Sequence, residues 1–177
     1  MFLGEKKSGK SSLVAKFLEE PVKEDMAETT ALDFKYGTKL REDKKIKVNV
    51  YELGGGRILA NMLGAALNAG SITQTTVVIS IDLSKPGNSV DSLLFWLNTV
   101  REQSQVALQE VQRTDPQSFM QLQQRVGARW GQHEDKNKIT FSLVPIVIVC
   151  TKFDAFANQF ESIKKKQLCL ALRYIAH

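Results

Sequence analysis

Leu13, Val14, Phe17 and Leu18 recur at helical spacing behind a short apolar stretch, Met1-Phe2-Leu3, and a Gly- and Lys-rich loop. That spacing predicts a helix from Ser11 to Glu20, with Pro21 as its stop. Leu32, Phe34 and Tyr36 alternate with polar residues, as do Ile46, Val48 and Val50, and the charged stretch Arg41 to Lys44 lies between them. The pattern predicts an antiparallel hairpin with one face on a core. Gly54-Gly55-Gly56 breaks its second strand, and Ile58, Leu59, Met62, Leu63, Ala66 and Leu67 trace a helix ending before Gly70. Thr76 to Asp82 (TVVISID) and Val144 to Cys150 (VPIVIVC) are apolar, β-branched runs of the kind buried on both faces of a sheet. Between them, Leu93, Leu94, Leu97 and Val100 open a long helix reaching about Val111. Asp115-Pro116 starts another, with Phe119, Leu122, Val126 and Trp130 on one stripe, so residues 88–131 are largely helical. A polar loop, Asp135 to Lys138, and an amphipathic helix from Ser162 to Ala176 complete the chain. Buried strands alternating with helices predict one α/β domain over residues 1–177: a mostly parallel sheet with one antiparallel hairpin strand and helices on both faces.

The first loop carries chemistry. Gly4-Glu5-Lys6-Lys7-Ser8-Gly9-Lys10-Ser11 satisfies G-x-x-x-x-G-K-[ST] at every fixed position, with apolar residues before it and an amphipathic helix after it. Glycines let backbone wrap a phosphate chain, and the N–H groups that open the helix face the anion. Gly4, Lys7, Ser8, Gly9, Lys10, Ser11 and Ser12 are the candidate phosphate contacts. Lys10 brings positive charge to the terminal phosphates, and the Ser11 hydroxyl is a magnesium ligand. The context predicts a Ras-like P-loop NTPase fold. Only Met1 to Leu3 precede the loop, fewer than the five or so residues of an ordinary strand. A strand that short is expected to pair poorly in a central sheet, and the domain is expected to be truncated there.

Three further elements bear on the nucleotide. Where a GTPase of this layout carries D-x-x-G, the chain has Glu52-Leu53-Gly54-Gly55, which keeps a carboxylate for magnesium and, at Gly55, an N–H for the γ-phosphate. Thr29 or Thr30 is the candidate threonine that reaches the metal, with Thr30 assigned as ligand. Thr151-Lys152-Phe153-Asp154 is a form of the guanine-selecting [NT]-K-x-D: Asp154 accepts two hydrogen bonds from guanine, and Lys152 lies along the base. Thr151 in place of Asn removes an amide contact worth on the order of 1 kcal/mol. The expected cofactors are therefore GTP or GDP with Mg²⁺, an empty site being the remaining alternative. A competing ATPase reading makes Asp82, at the end of TVVISID, the magnesium carboxylate. Catalysis departs from the pattern: Gly56 stands where efficient GTPases place a water-orienting Gln, and no arginine finger is assignable within the chain. A finger alone is worth about 10³ to 10⁵ in rate, so no catalytic residue is assigned, and nucleotide is expected to act as a structural ligand.

Composition excludes more than it suggests. A hydrophobic fraction of 43% and a charged fraction of 24% are those of ordinary globular chains. No apolar run approaches the roughly 18 residues that cross a bilayer, so membrane insertion is not expected. The net charge of +5 is spread along the chain without a nucleic-acid motif, which argues against nucleic acid as a partner. Cys150 and Cys169 sit in apolar stretches and are expected to be buried free thiols of a cytoplasmic protein. His133 in a polar loop and His177 at the last position do not suggest a metal site, Trp96 and Trp130 suggest core packing, and Lys164-Lys165-Lys166 suggests a wet helix face.

With these motifs in place, the chain resembles the dynein light intermediate chain family. Those proteins carry a degenerate Ras-like domain in which an aromatic-E-L-G-G-G segment, here Tyr51 to Gly56, replaces D-x-x-G. Leu83-Ser84-Lys85-Pro86 and the V-P-[IL]-V-I run at Val144 are shared as well. Lys152-Phe153-Asp154-Ala155-Phe156, Phe160-Glu161-Ser162 and Leu172 to His177 are more similar to the cytoplasmic dynein 2 branch than to the dynein 1 branch. The likeness spans nearly the whole chain and is weakest over residues 103–135. The resemblance implies a non-catalytic motor subunit whose partners are the dynein heavy-chain tail, the other dynein 2 subunits and, indirectly, the intraflagellar transport train. It implies a location in cytoplasm and cilium. It also implies a further strand and a base-contacting loop after the last helix, so truncation is expected at that end too.

Overall fold

The structure is a computed structural model and describes residues 1–22, 27–41, 44–139 and 141–177. Its strands are β1 (Phe2–Gly4), β2 (Leu32–Arg41), β3 (Lys44–Leu53), β4 (Val77–Asp82) and β5 (Ile146–Thr151). They form one five-stranded sheet in the order β2-β3-β1-β4-β5. All neighbours are parallel except β2 and β3, which form the antiparallel hairpin. The helices are α1 (Lys10–Leu18), α2 (Leu63–Ala66), α3 (Ser89–Thr114), α4 (Pro116–Trp130), α5 (Phe153–Gln159) and α6 (Ser162–Ala176). The α/β architecture with a mostly parallel sheet is therefore present.

Short β1 pairs well, contrary to expectation. Lying between β3 and β4, it is laddered on both sides, with Phe2 opposite Glu52 and Val78, and Leu3 opposite Ile79. Leu3 has no exposed surface and sits with Leu53, Ile79, Ile81, Leu93 and Trp96 in the main core. A smaller cluster of Phe2, Val14 and Val50 lies on the opposite face under α1. Helices thus cover both faces, unequally: α1 on one, and α2, α3 and α6 on the other.

Several sequence expectations change. The single helix expected from Ile58 to Leu67 is a 3-10 segment (Gly56–Met62), non-helical at Leu59, followed by the one turn of α2. It starts from Gly55 and Gly56, both at positive φ, where the chain leaves β3 too sharply for a regular helix. The hairpin does not put its two apolar sets on one core. Phe34 pairs with Tyr51 and Tyr36 with Asn49, whereas Val50 faces Lys35, Val48 faces Gly37 and Ile46 faces Lys39. The sets therefore point to opposite faces, because register parity decides the face of every residue. Strand β5 is an edge and is not buried on both faces: Val147 is nearly half exposed, since α1 lies over Phe2 and Val50 and does not reach it. Cys150 and Cys169 are free thiols, as expected, but exposed; partial desolvation of the Cys150 sulfur, and after it the charge of Cys169, raises the Cys150 pKa. On α4 only Leu122 of the expected stripe is buried. Trp96 is fully buried, while Trp130 is partly exposed and stacks on Phe141.

Candidate nucleotide site

The site lies at the carboxyl ends of β1, β3, β4 and β5, where the parallel strands release their loops. Gly4 (φ 145°) leaves β1 so close to β4 that a Cβ would collide with the Ser80 carbonyl oxygen. Lys7 (φ 61°) and Gly9 (φ 82°) are left-handed and curl the loop back into α1. Gly9 caps α1 without a side-chain hydrogen bond, and the first turn carries no acidic residue. The opening N–H groups of a helix have no intrahelical acceptor, and here no side chain among the described residues accepts from them. That leaves the positive end of the helix dipole to an anion.

Two hydroxyls hold the loop from below. Ser80 Oγ donates to the Ser8 carbonyl at 2.6 Å, and Thr151 Oγ1 lies 2.8 Å from the same oxygen. Thr151 thus braces the phosphate loop instead of merely lacking an amide. The Ser8 hydroxyl is buried with no partner among the described residues.

Lys10 is only 5% exposed, and its ammonium donates to the Gly4 carbonyl at 3.1 Å and the Glu5 carbonyl at 2.8 Å. Burial lowers its pKa, opposed by the charges of Glu52 and Glu5. Glu52, 3% exposed, accepts from Ser11 Oγ at 2.6 Å and Thr29 Oγ1 at 3.0 Å. Thr29, not Thr30, is therefore the threonine at the carboxylate. Backbone at Thr29 and Ala31 presses on Gly54, whose N–H donates to the Ala31 carbonyl at 2.6 Å, and a Cβ on Gly54 would strike the Thr29 carbonyl. This turns the Thr29 side chain inward and leaves Thr30 exposed. A carboxylate and two hydroxyls form an all-oxygen donor set, which fits a hard cation such as Mg²⁺. The residues present therefore fit both an anion on the loop and a metal beside Ser11.

On the base side, Lys152 (φ 54°) extends its ammonium to Asp82 Oδ2 at 2.6 Å, while Ser84 donates to Asp82 Oδ1 through N–H and hydroxyl. Burial alone would raise the Asp82 pKa, but the hydrogen bonds from Lys152 and Ser84 outweigh it and the net shift is downward. Asp82 is thus engaged with Lys152, and the carboxylate that meets Ser11 is Glu52. Asp154 is exposed in the first turn of α5. Gly55 and Gly56 follow β3 at positive φ, and a Cβ at Gly56 would lie 3.2 Å from Lys6 N.

Two groupings were not legible in the sequence. Arg57 pairs with Glu5 of the phosphate loop and Asp91 of α3, and its guanidinium lies 4.6 Å from the Phe95 ring centre. It ties the loop, the segment after β3 and α3 together beside a cavity of about 590 Å³ lined in part by Lys6, Lys85 and Ser92. An Arg directly after Gly-Gly-Gly was its only sequence signal. Far from the site, His133, Asp135 and His177 gather with possible ligand atoms within 4.8 Å. The Asp135 N–H donates to His133 Nδ1, and Lys138 and His177 pair with the Asp135 carboxylate.

Comparison with known proteins gives the family. Residues 1–142 match the dynein light intermediate chain (DLIC) family. Cytoplasmic dynein 2 light intermediate chain 1 of Danio rerio is 32% identical over 99% of this chain and 49% of its own length. The Homo sapiens protein of the same name is 28% identical over 99% of this chain and 50% of its own. Cytoplasmic dynein 1 light intermediate chain 1 of Homo sapiens is 27% identical over 89% of this chain and 35% of its own. The chain spans about half the length of the dynein 2 relatives it matches. The solved structure of Methanosarcina barkeri Roco2 RocCORdC bound to GDP aligns with 94% of this chain and 38% of that one, at a TM-score of 0.46 and 17% identity. On the family match over most of its length, the chain belongs to the dynein light intermediate chain family.

Proposed function

We propose that this chain is the nucleotide-fold part of a light intermediate chain of cytoplasmic dynein 2, a non-catalytic subunit that binds and stabilises the heavy-chain tail. The motor would serve retrograde intraflagellar transport, placing the protein in cytoplasm and cilium. The observation that carries this reading is coverage: dynein 2 relatives align with 99% of the chain, against 89% for the human dynein 1 relative.

GTP or GDP with Mg²⁺ serves in this reading as a structural ligand. Lys10 and the α1 N-terminus would hold phosphates; Ser11, Thr29 and Glu52 would hold the metal; Lys152 and Asp154 would meet the base. The metal would neutralise phosphate charge. Negligible turnover belongs to this reading, supported by position 56, which carries no side chain and whose left-handed backbone, hard against Lys6, discourages one. Arg57 is committed to Glu5 and Asp91.

Affinity capture of the full-length protein from ciliated cells, with the retained nucleotide identified by mass spectrometry and single-turnover GTP hydrolysis measured, tests this reading. Dynein 2 heavy chain, guanine nucleotide and negligible turnover are expected. Absence of heavy chain, or hydrolysis well above that of an unassisted small GTPase, would overturn it. The position of Thr29 favours one second reading, a slow GTPase switch. Hydrogen exchange around Thr29 that differs between GDP and a GTP analogue would support that alternative.

A further inference from the structure

One face of the β2–β3 ribbon packs on the main core only at its Leu32, Tyr51 and Leu53 end; beyond that end, nothing among the described residues covers it. Phe34, Tyr36 and Leu40 stand on it at 49%, 78% and 69% exposure, although each belongs to a strand of ten residues with a complete ladder to its neighbour. Tyr51 lies across from Phe34, with ring centres 5.0 Å apart, and Lys47 and Lys45 lie across from Thr38 and Leu40. The other face is spent within the molecule. There Lys35 pairs with Glu20, Lys39 pairs with Glu19 and lies over the Phe17 ring, and Val48 and Val50 pack with α1. On the uncovered face, among the described residues, no acidic side chain occurs and no ion pair engages Lys45 or Lys47. Strand β2 ends the sheet order, so its outer row of backbone N–H and C=O groups has no strand beside it among the described residues.

We propose that this face and the free edge of β2 bind an acidic, extended segment of a partner protein, which adds to β2 as a further strand. The edge supplies backbone hydrogen bonds. Tyr36 and Leu40 supply apolar contact for alternate side chains, and Lys45 and Lys47 supply the charge that selects Asp or Glu. An added strand lies about 10 Å from β3, a gap that an extended Lys and Glu close together, and Thr38 is small enough to let Lys47 reach across. A lipid surface or nucleic acid would meet the lysines and aromatics but leave the edge unladdered. A second copy would set lysine rows against each other. An acidic peptide satisfies edge, apolar band and charge at once. The inference stands apart from the nucleotide site.

Fluorescence anisotropy of the full-length protein with a labelled peptide of alternating Glu and Val tests it. Binding that weakens with salt is expected. The double variant Lys45→Glu/Lys47→Glu should weaken it at least about tenfold, with an unchanged melting curve showing the fold intact. N-methylation of alternate peptide amides should abolish it. No binding, or equal binding by the double variant or the methylated peptide, overturns the proposal. So does phosphatidylserine-vesicle or oligonucleotide binding in place of peptide binding, or a wild-type dimer that Tyr36→Lys dissociates.

Discussion

The two ends of strand β3 teach different lessons. At its carboxyl end, Glu52 is buried between Ser11 and Thr29, Leu53 is in the core, and Gly54 touches backbone from the segment before β2. At its amino end, Lys45, Ile46 and Lys47 are exposed, and among the described residues their neighbours in the sheet are residues of β2 alone. One end is over-determined and the other hardly constrained beyond its ladder. Burial makes each polar group at the first end depend on a named partner, whereas water is the partner at the second.

Gly54→Ala should break the contrast most severely. Its methyl must displace Thr29 and Ala31 backbone, a loss of about 3 kcal/mol or more, measured by chemical denaturation. Lys10→Met comes next and separates ligand binding from folding. Removing the cation should lower nucleotide affinity about a hundredfold, roughly 3 kcal/mol. Apo stability should change less, because the buried ammonium carries a desolvation penalty along with its two carbonyl bonds. A large apo loss with unchanged nucleotide retention would make Lys10 a structural strut only.

Asp82→Asn gives a smaller, pH-dependent effect. Despite its partial burial, the Asp82 carboxyl is held below the ordinary aspartate range in the folded protein by Lys152 and Ser84, so its contribution is present above about pH 4. It is lost as pH falls through the folded value, and the Asn variant should show a flatter acid limb in a pH series of melting curves. Because Lys152 is partly exposed to solvent, the difference near neutrality should stay below about 1 kcal/mol. Leu40→Thr, at the free end of the ribbon, should be smallest, within about 0.5 kcal/mol by denaturation. A larger loss would mean that the ribbon is as constrained as the loop.

Sequence by itself determined most of the elements, though not α5 or the broken segment after β3, and most of the candidate site's membership. The phosphate loop, the hairpin, the apolar strands and the long helix region are local patterns. Gly4, Gly9, Lys10, Ser11 and Glu52 stand where short-range geometry needs a bare backbone, a cation, a hydroxyl or a carboxylate. Tertiary structure alone decided what depends on register and on distant chain. It selected Thr29 over Thr30, set Thr151 against Ser8, committed Lys152 to Asp82, and joined Arg57 to Glu5 and Asp91. It also sent the two apolar sets of the hairpin to opposite faces. A sequence period fixes which residues share a side of their own strand. Which side meets the core is fixed only when that strand pairs with its neighbour.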